Sequence, residues 1–255
     1  MTGAKIAIWD FDGTLGHHRY GTWAECLLEI LDVQQPGHHW AFSEMFEALA
    51  TGFPWHAAHE PHPHLTDPDA WWDHVTTVIT SALTRLGVPH PQTAAAATRA
   101  TYTDPGAWSL YPQTLRVLDL LTAQGWQHVL LSNHVPELPT LVAALGLDSR
   151  LQALINSAAC GYEKPHPHAF RLARTSAGPA HQFVMIGDNR EADAAGARRA
   201  GIDAIWVRRN RHTDTPDLDT AARLLQDFPP SRGQHPALHE VSPLGTTAPK
   251  ALPIR

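Results

Sequence analysis

Charge is scarce in this chain of 255 residues: Asp, Glu, Lys and Arg together make up 17% of it, below the usual quarter. What charge there is leans acidic, 25 carboxylates against 19 basic side chains. That balance argues against general binding along a nucleic-acid backbone. Cysteine is nearly absent, and Cys26 and Cys160 are too few for a disulfide framework. No apolar run approaches the roughly 18 residues that a membrane span requires. The opening stretch, Met1 to Asp10, reaches an acidic strand end at once and lacks the basic, then apolar, then small-residue order of a secretory leader. These absences lead to the expectation of a cytoplasmic protein, a monomer or homodimer, with neither a membrane nor a nucleic-acid polymer as partner.

Histidine fills part of the missing share, with 18 residues. His17–His18, His38–His39 and the group His56, His59, His62 and His64 look like clusters, but none has zincin spacing. Most stand beside Pro, Gly or Ala in predicted loops, so a compositional bias accounts for them better than a metal centre does.

The hydrophobic pattern divides the chain. Residues 5–10 form a short apolar run ending in acids, the pattern of a buried central strand. Asp12-Gly13-Thr14 then forces a turn. Segments 22–34, 40–51, 71–86 and 92–103 carry apolar residues at helical steps, with a Pro/His-rich loop at about 53–68. Beyond Trp108 helices and strands alternate, with predicted strands at 127–132, 153–157, 182–187 and 203–208 and helices at 112–124, 136–145, 167–175, 190–199 and 217–225. Strands buried on both faces and separated by helices argue for a parallel α/β sheet. The first strand joins that sheet if residues 16–105 form an all-helical insert, leaving 1–15 and 106–228 as the core. Residues 229–255, rich in Pro, Gly, Ser and Thr, are expected to be a disordered tail. Trp23, Trp40, Trp55, Trp71 and Trp72 crowd the insert, where packing of its helices is the expected role for most of them.

Polar residues gather at four predicted strand ends, where open α/β sheets place ligands. Asp10 and Asp12 stand two apart on an extended segment. Ser132-Asn133 offers a hydroxyl and an amide, Lys164 a cation, and Asp188 with Asp193 two further acids. Taken singly, each has a bland reading: a solvated loop for Asp-X-Asp, a helix cap for Ser132-Asn133, a favoured helix start for Asp193. In this order and placement they suit phosphoryl transfer. Asp10 is the candidate nucleophile, and Asp12 the group that protonates the leaving alcohol and later deprotonates water. Mg2+ is expected on the Asp10 carboxylate, the Asp12 carbonyl and Asp188, with Asp193 supporting it. Ser132 and Lys164 are expected to hold the developing negative charge.

Asp10-Phe11-Asp12-Gly13-Thr14-Leu15, Ser132-Asn133, Gly161-Tyr162-Glu163-Lys164-Pro165 and Gly187-Asp188-Asn189 with Asp193 resemble the four motifs of the haloacid dehalogenase-like (HAD) hydrolase superfamily. The resemblance covers roughly residues 5–210. It implies a Rossmann-like parallel core with an inserted helical cap of the first type, which closes over the phosphate site and chooses the substrate. It also implies magnesium, a nucleophilic Asp10 and an acid/base Asp12. Dehalogenases of that superfamily lack the second aspartate, so Asp12 favours a phosphatase acting on a small phosphorylated metabolite. The fourth motif departs from the family pattern, with Ala192 where Asn is frequent. His17, His18 and Arg19, at the entry to the cap, together with Arg190 and Asn133, are candidate substrate contacts, and His134 is another that could face the cleft. A phosphosugar mutase with the same motifs, or a non-catalytic HAD-like binding protein, remains as an alternative.

Overall fold

Ile6, Ala7, Ile8 and Trp9 have no solvent exposure, which makes strand β1 (Ala4–Trp9) the centre of the molecule. In the computed structural model, which describes residues 4–207, 215–228 and 238–241, β1 pairs in parallel with β4 (Trp126–Ser132) on one side and β6 (Ala180–Gly187) on the other. β5 (Ala153–Asn156) extends the sheet beyond β4, and β7 (Asp203–Val207) and β8 (Leu238–Val241) extend it beyond β6. All pairings in this six-stranded sheet are parallel. With its strands numbered by themselves along the chain the order is 3-2-1-4-5-6, the doubly wound arrangement with a crevice at the carboxyl ends beside the first strand.

Alternation along β1 builds two apolar layers, because successive side chains leave opposite faces. Ile6 and Ile8 join Val129, Leu131 and Met185 under α8 (Pro167–Ala177) and α9 (Gly196–Arg199). Ala7 and Trp9 join Leu130, Val184 and Ile186 under α5 (Thr114–Ala123), α6 (Leu138–Ala144) and α10 (Leu218–Gln226). Between these helices a single turn, α7 (Ser157–Cys160), follows β5.

The four expected helices between the first and second sheet strands are present: α1 (Trp23–Gln34), α2 (Phe42–Ala48), α3 (Pro68–Arg85) and α4 (Pro91–Tyr102). Local chemistry starts them. Thr22 and Glu25 form a reciprocal capping box on α1, and Asp67 accepts from Asp69 and Ala70 N–H at the start of α3, where Pro68 opens the helix. Leu27, Leu31, Trp71, Val75, Ile79 and Leu83 bury their faces in a cluster continuous with one layer of the sheet. The indole of Trp72 donates to both carboxylate oxygens of Glu137 at 3.0 and 3.1 Å, and Arg99 Nε donates to the same carboxylate at 2.9 Å. These contacts tie the helices to the core.

Two features depart from the expectations. The chain leaves and re-enters the core through a small antiparallel ribbon, β2 (Gly16–His18) against β3 (Trp108–Leu110). Three residues per strand are too few to register as a pattern. The second departure lies in 229–255: residues Leu238–Val241 are ordered as β8, because the outer side of β7 offers a row of backbone donors and acceptors that a short extended segment can meet. The rest of that expected tail, 229–237 and 242–255, lies outside the described residues. No described helix is long and apolar enough to cross a membrane.

Some of the surplus histidines are interior. His128 Nδ1 accepts from the Trp9 indole at 3.0 Å, and an indole N–H can only donate, so the proton sits on Nε2, 3.0 Å from the Leu118 carbonyl. His134 packs against Phe11 and Trp108 with ring centroids 5.5 and 4.9 Å apart. Burial lowers the pKa of His128 to about 4 and that of His134 to about 3. Their folded pKa values lie below the unfolded one, about 6.5. The stability they lend is therefore complete above that pH and is lost as pH falls through it towards the folded values. The loss is at most about 1.4 kcal/mol per pH unit for each ring. These two rings are expected to pull the melting temperature down below about pH 6.5, against the opposite contribution of the buried Glu163, whose pKa is raised to about 7. In His134→Phe, which keeps an aromatic ring in place, calorimetry across this range is expected to give a shallower acid limb; an unchanged slope would rule out a buried neutral His134.

Candidate active site

At the carboxyl end of β1 the chain turns sharply. Gly13 N–H donates to the Gly16 carbonyl at 2.8 Å and Leu15 N–H to the Phe11 carbonyl at 2.9 Å. Gly13 sits at φ 83°, a left-handed conformation open to glycine, and a β-carbon there would meet Asp188 Oδ2 at 2.5 Å. Thr14 links the two strand ends, donating to Asp10 Oδ2 at 3.5 Å and accepting from Asp188 N–H at 3.1 Å. Seven of the predicted residues, Asp10, Asp12, Ser132, Asn133, Lys164, Asp188 and Asp193, line one cleft of about 370 Å³.

Lys164 stands at its centre. Its Nζ donates to Asp10 Oδ1 at 2.7 Å and to Asp193 Oδ1 at 2.5 Å, while Ser132 Oγ donates to the same Asp10 oxygen at 3.1 Å. All four side chains are buried. Burial by itself would lower the Lys164 pKa, but the Asp10 and Asp193 carboxylates outweigh it and hold the ammonium charged. Burial pushes Asp193 up to about 7, Lys164 opposes this, and the neighbouring Asp10 and Asp188 add to it. Carboxylate oxygens of Asp10, Asp188 and Asp193 lie within 4.8 Å of one another. Such an all-oxygen, acid-rich set fits a hard divalent cation such as Mg2+.

Backbone shape delivers these groups. Asn133 accepts from Lys164 N–H at 2.7 Å and donates to the Lys164 carbonyl at 2.9 Å. Its amide therefore clamps the lysine's backbone from the neighbouring strand end, a holding role where a substrate contact was expected. After β6, Asn189 accepts from Glu191 and Ala192 N–H, and the helix opens with a wide π-type turn over Arg190–Ala195. That turn sends Asp193 back to accept from Asn189 N–H at 2.9 Å. Gly187 leaves the space: a β-carbon there would fall 2.2 Å from Asp193 Oδ2.

Four expected substrate contacts do not line this cleft. His17 packs on Tyr111 with ring centroids 4.9 Å apart. His18 is buried and stacks on Tyr102 at 4.7 Å; consecutive residues of β2 point to opposite faces. Arg19 lies over the Tyr20 ring and borders a separate depression between α1 and α4. The Arg190 guanidinium sits 5.4 Å from the Trp206 ring centroid. His134, the other candidate, is buried against Phe11 and Trp108 and is not in the cleft lining. Trp55, Pro165, Asn189, Glu191 and Ala192 complete the lining. Thr14 and Asn189 belong to the motif segments already singled out, whereas nothing in the local sequence marks Trp55 among its neighbouring tryptophans.

The model of the haloacid dehalogenase-like hydrolase family matches residues 4–201. A phosphoserine phosphatase of Thermus thermophilus is 33% identical over 137 residues, 52% of this chain and 55% of that protein. A ribulose-1,5-bisphosphate 5-phosphatase of Halopiger xanaduensis is 31% identical over 118 residues, 45% of this chain and 49% of that protein. The chain thus spans about half the length of each of these two relatives. Among solved structures, an L-2-haloacid dehalogenase superposes with a TM-score of 0.63 at 22% identity, over 94% of this chain and 95% of the other.

Gly187→Ala is expected to displace Asp193 and to lower stability by about 1–3 kcal/mol, measured by urea denaturation. Wild-type stability in that variant would mean that Asp193 does not depend on the gap at Gly187. The match across both motif-bearing halves of the sheet, together with the strand-end acids and lysine, makes this chain a member of the haloacid dehalogenase-like hydrolase family.

Proposed function

We propose that the chain is a Mg2+-dependent phosphomonoester hydrolase acting through an aspartyl-phosphate on a small phosphorylated metabolite. The observation that carries the reading is Asp10 itself: buried, with one oxygen held by Lys164 and Ser132, and followed two residues later by Asp12 in the same cleft. The phosphatase names of the two relatives point to the same ester class.

In this reading Asp10 attacks phosphorus, and the bond from phosphorus to the leaving oxygen breaks. Asp12 donates its proton to that oxygen, so the product departs as an alcohol. Asp12 then takes a proton from water, whose oxygen attacks the aspartyl-phosphate; phosphate leaves and the Asp10 carboxylate is restored. Lys164 and Ser132 orient Asp10 and hold negative charge on the transferring group. Asp10, the Asp12 carbonyl and Asp188 are the residues that would hold Mg2+, with Asp193 behind them; the ion supplies charge neutralisation at phosphate oxygen. Dehalogenation would not need Asp12 as an acid, since a halide leaves without a proton. Residues 16–105 serve as a cap over the cleft, and a cytoplasmic setting accords with the free thiols Cys26 and Cys160.

Wild type is expected to release phosphate from p-nitrophenyl phosphate with Mg2+ and to stop when the metal is chelated. Asp10→Asn is expected to fall to background and Asp12→Asn to lose roughly 10²–10⁴-fold in kcat. Undiminished release by Asp10→Asn would exclude the covalent route. Conversion between phosphosugar isomers without net phosphate release would favour the mutase instead.

A further inference from the structure

The cleft has an uneven lining. From the core it receives the carboxylates of Asp10, Asp12, Asp188, Asp193 and Glu191, the last paired with Arg199 at 2.8 Å. Its one cationic side chain among the described residues is Lys164, already shared by two acids. From the helical insert it receives Trp55 and nothing charged. Arg19 and Arg190, the candidates for a second anion contact, lie against Tyr20 and Trp206.

Trp55 is built into its position. Its ring stacks on Phe53 with centroids 4.5 Å apart and planes at 16°, and packs against Trp23 at 5.9 Å. The surrounding loop is pinned at three points: His74 Nε2 lies 2.8 Å from the Gly52 carbonyl, His62 Nε2 lies 3.1 Å from the Pro54 carbonyl, and His62 N–H donates to the Gly161 carbonyl at 2.7 Å. The last contact ties the loop to the segment that carries Lys164. A second hollow of about 120 Å³ borders Trp55 and is lined by uncharged residues, among them Trp23, Phe46, Leu49 and Phe53. Trp55 is thus the wall shared by an acidic phosphate site and an apolar recess.

Resting on the phosphatase reading, we infer that Trp55 is a specificity-determining residue: the preferred substrates are monophosphate esters whose alcohol carries an aromatic or flat heterocyclic group and no further anion. A flat ring finds a face to stack on. A second phosphate or a carboxylate finds five carboxylates and no cation beyond Lys164 in the lining, and such like-charge placement disfavours binding.

The test compares kcat/KM with Mg2+ for uridine 5′-monophosphate and 1-naphthyl phosphate against phosphoglycolate, fructose 1,6-bisphosphate and glycerol 2-phosphate. The aromatic esters are expected to exceed phosphoglycolate and fructose 1,6-bisphosphate, which carry a second anionic group, by at least about tenfold. Trp55→Ala is expected to reduce kcat/KM for the aromatic esters, relative to glycerol 2-phosphate, by roughly 5- to 150-fold, the range a stacked base contributes. Trp55→Phe is expected to recover most of that preference, chiefly through KM, and guards against a folding defect in the alanine variant. Equal losses on all esters, or a wild-type preference for the compounds with a second anionic group, would overturn the inference while leaving phosphatase activity intact. Absence of phosphate release from every ester would instead remove the underlying reading.

Discussion

Lys164 carries a full positive charge into the protein interior, where its ammonium meets Asp10 at 2.7 Å and Asp193 at 2.5 Å. Taking such ions out of water costs several kcal/mol each, and only close, well-aligned partners repay it. One cation between two carboxylates, with Asp188 close by, still leaves negative charge in excess. That excess is what suits the cluster to a divalent cation. Without the lysine, two buried acids would repel across a short gap.

The rest of the core is arranged around holding that contact. Its three members come from ends of the sheet or just beyond: Asp10 after β1, Asp193 in the turn after β6, Lys164 in the loop beyond β5. None is adjacent to another in sequence, so the parallel order of the strands is what brings them together. Fine placement then falls to neighbours without charge. The Asn133 amide fixes the lysine's backbone on both sides, Gly187 yields space to Asp193, and Thr14 couples the ends of β1 and β6.

The sequence makes the sheet, the four insert helices and the strand-end acids legible, because these depend on local spacing and on burial periods of two or 3.6 residues. Asp10, Asp12, Ser132, Lys164, Asp188 and Asp193 could be singled out because each follows an apolar strand or sits in a motif segment. What depends on tertiary placement is not legible in this way. Asn133 reads as a ligand donor until its partner is known to be the chain itself. His17 and His18 stand in the ribbon and Arg19 just after it, and they turn toward Tyr111, Tyr102 and Tyr20. Trp55 was one tryptophan among several in a region where packing is the ordinary role. The strand at Leu238–Val241 exists because β7 presents an open edge, a property of the sheet and not of those four residues.

The ribbon of β2 and β3 also bears on how this architecture varies. At the foot of the insert, His18 and Trp108 stand directly opposite one another on paired strands. With its ends held together by the ribbon's hydrogen bonds, the closure cost of a longer insert grows only with the logarithm of its length. What does constrain it is a small aromatic seam at the junction, where Phe11, Trp108 and His134 from the core side meet His18 and Tyr102. A foreign insert grafted at this point would need to cover that seam and to replace the contacts that Trp72 and Arg99 make with Glu137. The joint thus leaves the core's own hydrogen bonding complete whatever stands between His18 and Trp108.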